Sequence, residues 1–438
     1  MGVYRKSFIS LWQILLQKMA DILLAISVVG GFFLGICSGL IPGLHTNNFA
    51  ALMLAISPAF LELGLDPFDL AAAILAASVA HTFLDIVPSI FIGAPDADTA
   101  LAVLPGHEMM LDGRGFEAVR LSALGSASSV IVALLLIVPL SLLFRSVYGP
   151  FMDHIGLVLL SIASLMILTE RGRTIEGQGS LVHLKYKLFA LALFLTSGYL
   201  GVFAFSHQDL ARSPLGFEPE VLLPLLGGLF GASVLLLSLA TKAEIPDQKE
   251  TEFDLPARTI ARSAFIGGLA GSVVAWVPGV TPAVATVVAR LGSEGSNQEF
   301  LVSVSGVNTA NSLFTLVALL VVGRPRSGAA VAIEELVDLD GYGLLVMATI
   351  VIGVSILAYF ATLQAGRLAA KVVGNLNYRR LCLSVLAFLT AMTFGFTGIF
   401  GLFLFFVSTV VGLVAPFAGI RKTHAMGVLM VPLLAYYL

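Results

Sequence analysis

The stretch Gly31-Phe-Phe-Leu-Gly35-Ile-Cys-Ser-Gly39-Leu-Ile-Pro42-Gly43-Leu-His45-Thr46-Asn47-Asn48 is a glycine-spaced apolar helix that runs into a Pro-Gly break. It has a second copy, Gly267-Gly-Leu-Ala-Gly271-Ser-Val-Val-Ala-Trp276-Val-Pro278-Gly279-Val-Thr281-Pro282. In both, glycines stand 11 and 7 residues before the proline. A proline in a helix removes a backbone donor and frees a carbonyl. At membrane depth such backbone is tolerated only where protein or water meets it. Paired, interrupted apolar helices are therefore the strongest sequence pointer to a secondary transporter's substrate site.

Composition supports a bilayer setting. The chain has 438 residues, 58% of them hydrophobic and 12% charged. That is half the roughly 25% of charged residues usual in a soluble domain. Mean hydropathy is +0.98, and apolar runs close to 20 residues recur along the length, as membrane-spanning helices require. The reading is an all-α polytopic membrane protein with multiple passes through the cell membrane. Spans fall near 20–41, 47–62, 69–93, 118–144, 150–169, 186–206, 220–240, 262–290, 299–322, 342–364, 376–398, 400–418 and 423–438. That gives about twelve transmembrane segments, some of them broken or re-entrant.

Residues 1–19 read as an interfacial amphipathic helix, with Phe8, Leu11, Trp12 and Leu15 beside Arg5, Lys6 and Lys18. The polar interval 241–261 divides a first repeat, 20–240, from a second, 262–438. Further anchors match. Gly93-Ala-Pro95 corresponds to Gly323-Arg-Pro325, 230 residues on, and Leu111-Asp-Gly-Arg-Gly115 to Leu339-Asp-Gly-Tyr-Gly343, 228 on. At the 230 offset Ser78 falls on Asn308 and His81 on Asn311. Loops 171–187 and 367–380 are rich in Lys and Arg and so face the cytoplasm. The loops at the two LDGxG motifs carry opposite charge, which points to halves of inverted topology.

Four groups of residues can carry the chemistry. The breaks offer Pro42, Gly43, His45, Thr46, Asn47 and Asn48 in one copy and Pro278, Gly279 and Thr281 in the other. Thr46, Asn47, Asn48 or Thr281 can cap a restarting helix, whose free N–H groups suit an anion; the plainer alternative is two kinked packing helices. Asn308, Asn311, Ser312 and Thr315 share one helical face, either lining a polar path or forming an interhelical ladder. His81 and Asp85, an i, i+4 pair, either carry a coupling ion or satisfy each other. In the matched loops Arg324 and Arg326, with Ser327, can hold a carboxylate, while Asp96 and Asp98 bind a cation or cap a helix. His107 and His154 read as interfacial. No HExxH, GxSxG or cysteine cluster appears, so an enzyme is not expected, apart from an intramembrane one built on His81 and Asp85. A net charge of −3 argues against nucleic acid. No cofactor is expected beyond a coupling H+ or Na+. The expected partners are a small anionic solute and the bilayer, with a homodimer left open.

The order of these motifs resembles the large membrane subunit of tripartite tricarboxylate transporters, in the divergent form found in archaea. The resemblance rests on Gly35 to Leu44, on Ile92-Gly-Ala-Pro-Asp-Ala-Asp-Thr99 leading to His107-Glu-Met-Met-Leu-Asp-Gly113-Arg-Gly115, and on Gly271 to Thr281. Ser305-Gly-Val-Asn308-Thr-Ala-Asn311-Ser and Gly323-Arg-Pro325-Arg-Ser327 complete it. It implies a carboxylate permease driven by an ion gradient, working in bacteria with a small membrane subunit and an extracytoplasmic binding protein. It also places substrate at the two Pro-Gly breaks and Asn308/Asn311. The chain departs from the family pattern at His45-Thr46, Val307-Asn308 and Arg324-Pro325-Arg326, all at the expected substrate region. A translocase for a lipid-linked phosphate is the other transport reading of the same features.

Overall fold

The computed structural model describes residues 22–41, 46–93, 103–172, 180–216, 219, 221–241, 246–249, 255–277, 280, 282–289, 296–325, 327–374 and 377–438. The expected interfacial helix at 1–19 and residues Pro42, Gly43, His45, Asp96, Asp98, Pro278, Gly279, Thr281 and Arg326 lie outside them. All regular structure among the described residues is helical. Eight helices are long and apolar enough to cross a membrane, and two shorter apolar ones, Leu52–Glu62 and Ile155–Leu168, accompany them. Large apolar side chains such as Ile131, Leu135, Leu142, Leu345, Phe360 and Ile399 point outward. Exposed apolar surface of that extent belongs against lipid.

In the first half, α1 (Ile22–Leu40) is followed by α2 (Thr46–Glu62), α3 (Pro67–Leu84), α4 (Ile86–Phe91), α5 (Val103–Leu111) and α6 (Gly115–Asp153). Then come α7 (Ile155–Leu168), α8 (Ser180–Ser206), α9 (Leu222–Leu226), a π turn over Gly227–Ala232 and α10 (Ser233–Thr241). The second half holds α11 (Ala257–Val274), α12 (Pro282–Ala289), α13 (Asn297–Val322) and α14 (Gly328–Leu336). It ends with α15 (Gly341–Val373), α16 (Tyr378–Ala418) and α17 (Gly427–Tyr437).

Local chemistry explains the boundaries. Asp66 caps α3 in a reciprocal capping box with Asp69, and Pro67 takes the first helical position. Ser296, Ser327, Asp340 and Asn377 cap α13, α14, α15 and α16. The LDG motif of the second half is thus a cap, with Asp340 Oδ1 accepting from Gly343 N at 2.6 Å. Gly323 closes α13 in the left-handed region, φ 63°. Gly398, at φ 65° and ψ −152°, splits α16 into two helices, at the boundary expected between 376–398 and 400–418. The break expected between 144 and 150 is absent. There α6 runs unbroken to Asp153 through Pro139 and Pro150.

Glycines set the closest crossings. A Cβ on Gly31 or Gly35 would strike Ala73 O or Ala77 O of α3. On Gly267 or Gly271 it would strike Ser303 O or Val307 O of α13. These partners stand at the sequence offsets of the two halves, 236 for the glycines and 230 for the carbonyls. A second such set has no counterpart in the sequence reading. Gly201 of α8 lies on Val428 O and Gly412 of α16 on Leu229 O; Gly427 lies on Phe194 O and Gly228 on Phe405 O. Residues 201 and 412 differ by 211, as do 194 and 405; 228 and 427 differ by 199, as do 229 and 428.

The halves interlock. α13 lies along α6, and α3 along α15, so each half packs its polar-striped helix on the long helix of the other. Gln248 straps across the start of α6, accepting from Gly115 N (2.9 Å) and donating to Met110 O (2.9 Å). Beside it Asp247 O approaches Gly113, while its Oδ1 stands against Gly374, after the end of α15. Farther in, Gly366 of α15 meets Val119 of α6. The start of α6 and the end of α15 therefore share one end of the molecule, and these two helices run in opposite senses.

Candidate functional site

Both Pro-Gly breaks fall between a helix that ends and one that restarts. α1 stops at Leu40 and α2 begins at Thr46; α11 stops at Val274 and α12 begins at Pro282. Thr46, Asn47 and Asn48 are thus in the first turn of α2. Before the second break the chain tightens, with Trp276 N donating to Val273 O and Val277 N to Val274 O. Trp276 is fully buried. Its indole stacks on Phe144 of α6, centroids 4.4 Å apart and planes at 5°, with Phe314 edge-on at 6.3 Å. Its Nε1 has no hydrogen-bond partner among the described residues, an orphan donor beside a helix break that the sequence reading did not single out.

The polar residues of α3 and α13 come together across the halves. His81, buried, places Nδ1 3.0 Å from Ser38 Oγ; Ser38 lies in α1, four residues before Pro42. Asp85 is also buried and stands between α3 and α4, where Pro88 deprives Leu84 O of its helical donor. Its Oδ2 accepts from Asn308 Nδ2 at 3.3 Å. Asn308 is 1% exposed, and its Oδ1 has no partner among the described residues. Within the i, i+4 pair the backbone connects, Asp85 N to His81 O at 2.9 Å, while the side chains engage Ser38 and Asn308.

From Asn308 the polar face of α13 continues. Ser312 Oγ donates to Asn308 O (3.2 Å), Thr315 Oγ1 to Ser312 O (2.8 Å), and Ser327 Oγ to Thr315 Oγ1 (3.4 Å). Ser327 thus joins the stripe while capping α14. Asn311 is half-buried, and Arg324 is exposed with no ion pair among the described residues. His107 is buried, with Nδ1 2.9 Å from Ile90 O, and pins α5 to α4. His154 is exposed.

The arrangement is one of broken helices around a buried polar line, Ser38–His81 and Asp85–Asn308, contributed by both halves. Comparison with known proteins gives the family. Residues 25–427 match the tripartite tricarboxylate transporter TctA family. The chain belongs to that family. It is a multi-pass membrane protein of a transporter family, akin to the permease subunit of a tricarboxylate system. It is also 25% identical, over 93% of its length and 97% of the relative's, to the uncharacterized protein MJ1079 of Methanocaldococcus jannaschii. No solved structure matches it.

Proposed function

We propose that the chain is the permease of an ion-coupled system that carries a small organic anion, a carboxylate, by alternating access. The observation that carries this reading is the buried contact between Asp85 of the first half and Asn308 of the second. A polar pair that bridges two halves in an apolar medium is costly unless it serves a path or a bound ion. Inverted halves are supported by the opposed senses of α6 and α15, and a site between such halves opens to either side as one rocks against the other.

The residues at the two breaks, with Asn308, Asn311, Ser312 and Ser327, hold the anion. Thr281 directly precedes Pro282 in sequence, and Thr followed by Pro is the pattern of a cap and first helical position. His81 and Asp85 couple transport to H+ or Na+. Family membership supports a small membrane subunit and an extracytoplasmic binding protein as partners.

The test is uptake of labelled citrate or succinate by vesicles holding the purified protein, under imposed H+ or Na+ gradients. Asn308→Ala removes a hydrogen bond to a buried carboxylate and is expected to slow uptake about tenfold or more; Thr281→Ala should weaken it to a lesser degree. An intact rate in Asn308→Ala would remove that residue from the path. No uptake of either carboxylate under any gradient would overturn the carboxylate reading.

A further inference from the structure

The turn joining α16 to α17 holds a charged group that the breaks and the Asp85–Asn308 pair do not use. Within it Arg421 and His424 are tied to Glu170, which follows α7. Glu170 Oε2 accepts from Arg421 Nε (3.0 Å) and lies 2.6 Å from His424 Nε2. Those three side chains are partners of one another. Lys422, between them in sequence, is held apart. Its ammonium donates to Ser233 Oγ at 2.6 Å and to Phe230 O at 3.3 Å, and stands 5.8 Å over the Phe230 ring. No carboxylate pairs with it among the described residues. An ammonium has three donors, and these contacts use two.

Phe230 lies in the π turn, a geometry common at functional sites because it leaves carbonyls out of the regular ladder. The 422–426 turn packs on α12, the helix that restarts after the second break. Val280 and Val284, directly beyond that break, share an apolar cluster with Phe230 and Met426. His424, fully buried, adds an Nδ1 with no partner among the described residues.

We propose that the Lys422 ammonium is an anion contact of the transport site, pairing with a carboxylate of the carried solute beside the second break. The inference rests on the transport reading above and adds to it the counter-charge that the breaks lack. A partly buried cation kept without a carboxylate is poorly explained by stability, since withdrawing an uncompensated charge from water costs the fold. It is well explained by a ligand that brings the missing charge.

Burial lowers the Lys422 pKa to about 7, so the amine is charged below that pH and increasingly neutral above it. The charged or titratable groups around this turn are Glu170, Arg421 and His424, with Tyr186 of α8 against Gly419. α9, α10 and α12 carry none among the described residues. Of these groups Lys422 alone lacks a polar counterpart that neutralises it.

Thermal unfolding of the purified full-length protein in detergent, with citrate, succinate or inorganic phosphate, tests this at roughly pH 6 and roughly pH 8.5. The wild type should be stabilised by a carboxylate, with a smaller shift at the higher pH. Lys422→Arg should keep the shift at both. Lys422→Gln should weaken the anion about 10- to 100-fold, while its unfolding temperature without anion stays level or rises. That last result separates a ligand contact from a structural one. If Lys422→Gln binds carboxylate as the wild type does, the inference fails and the transport reading stands. A wild-type response to phosphate alone, lost in Lys422→Gln, keeps the anion contact and sinks the carboxylate. No response by the wild type to any of the three overturns the inference, and vesicle uptake then decides transport alone.

Discussion

Glu170→Ala is expected to destabilise the folded protein by about 1–3 kcal/mol, the usual cost of leaving buried hydrogen-bonding groups without their partner. The carboxylate is 2% exposed. It binds Arg421 through both Nε and the backbone N (3.2 Å), His424 at 2.6 Å, and its own loop through Gly172 N at 2.7 Å. Arg421 also donates to Met166 O and Thr169 Oγ1 at the end of α7. One carboxylate thereby fixes the end of the first half's α7 to the turn before α17. Burial alone would raise the Glu170 pKa, but His424, Gly172 N and Arg421 together outweigh it and hold the value at about 2. Because the folded value lies below the ordinary one near 4.5, this stabilisation is complete above that pH and is lost as pH falls toward 2. Unfolding temperatures of detergent-solubilised protein should show a large drop for Glu170→Ala, and a smaller one for Glu170→Gln, which keeps the shape. The acid-dependent part of the wild-type profile should be missing from both. An alanine variant as stable as the wild type would mean that the network contributes nothing to the fold.

Nothing in the sequence flagged that network. Glu170 and Arg421 are 251 residues apart, and Glu170 abuts a basic loop that reads as an ordinary membrane edge. The breaks were legible because proline and glycine act on their own backbone, whatever surrounds them. So was the kink at Gly398, where a glycine divides one long apolar run. The polar line was half legible. Polar residues at helical spacing betray Asn308 and Ser312, but the joining of Asp85 to Asn308 depends on how the halves interlock. Helix α6 defeated the segment count for a related reason. Pro150 stands at the expected boundary, yet neighbouring turns of a long helix can absorb the lost hydrogen bond. The glycine crossings of α8 with α17 and of α16 with the π turn escaped because a glycine fitted to a carbonyl needs no conserved neighbour. Only the fold reveals the partner.

Those crossings carry the second large effect. Gly201→Leu and Gly412→Leu should each abolish most of the folded, monodisperse protein, and by similar amounts. A side chain at Gly201 would stand on Val428 O and one at Gly412 on Leu229 O. A backbone carbonyl inside a helix cannot rotate away as a side chain can. The helices must then separate, which is worse than the roughly 1–3 kcal/mol of ordinary overpacking. Gly353→Leu and Gly30→Leu are the controls: each of these exposed helical glycines has nothing within 4 Å of a Cβ position. There leucine should be neutral or slightly favourable, since glycine in a helix gives up about 1 kcal/mol of propensity. Size-exclusion profiles and unfolding temperatures of the four variants decide the matter. Equal damage at Gly201 and Gly412 is what reciprocal crossings require, because each puts a helix of one half on the backbone of the other at the same place in its half. If Gly201→Leu collapses while Gly412→Leu is tolerated, the two crossings are not equivalent and the interlock of the halves is local to α8 and α17. Damage confined to the crossing glycines and absent from the lipid-facing ones would also place the cost in helix separation, not in loss of backbone flexibility, which all four substitutions share.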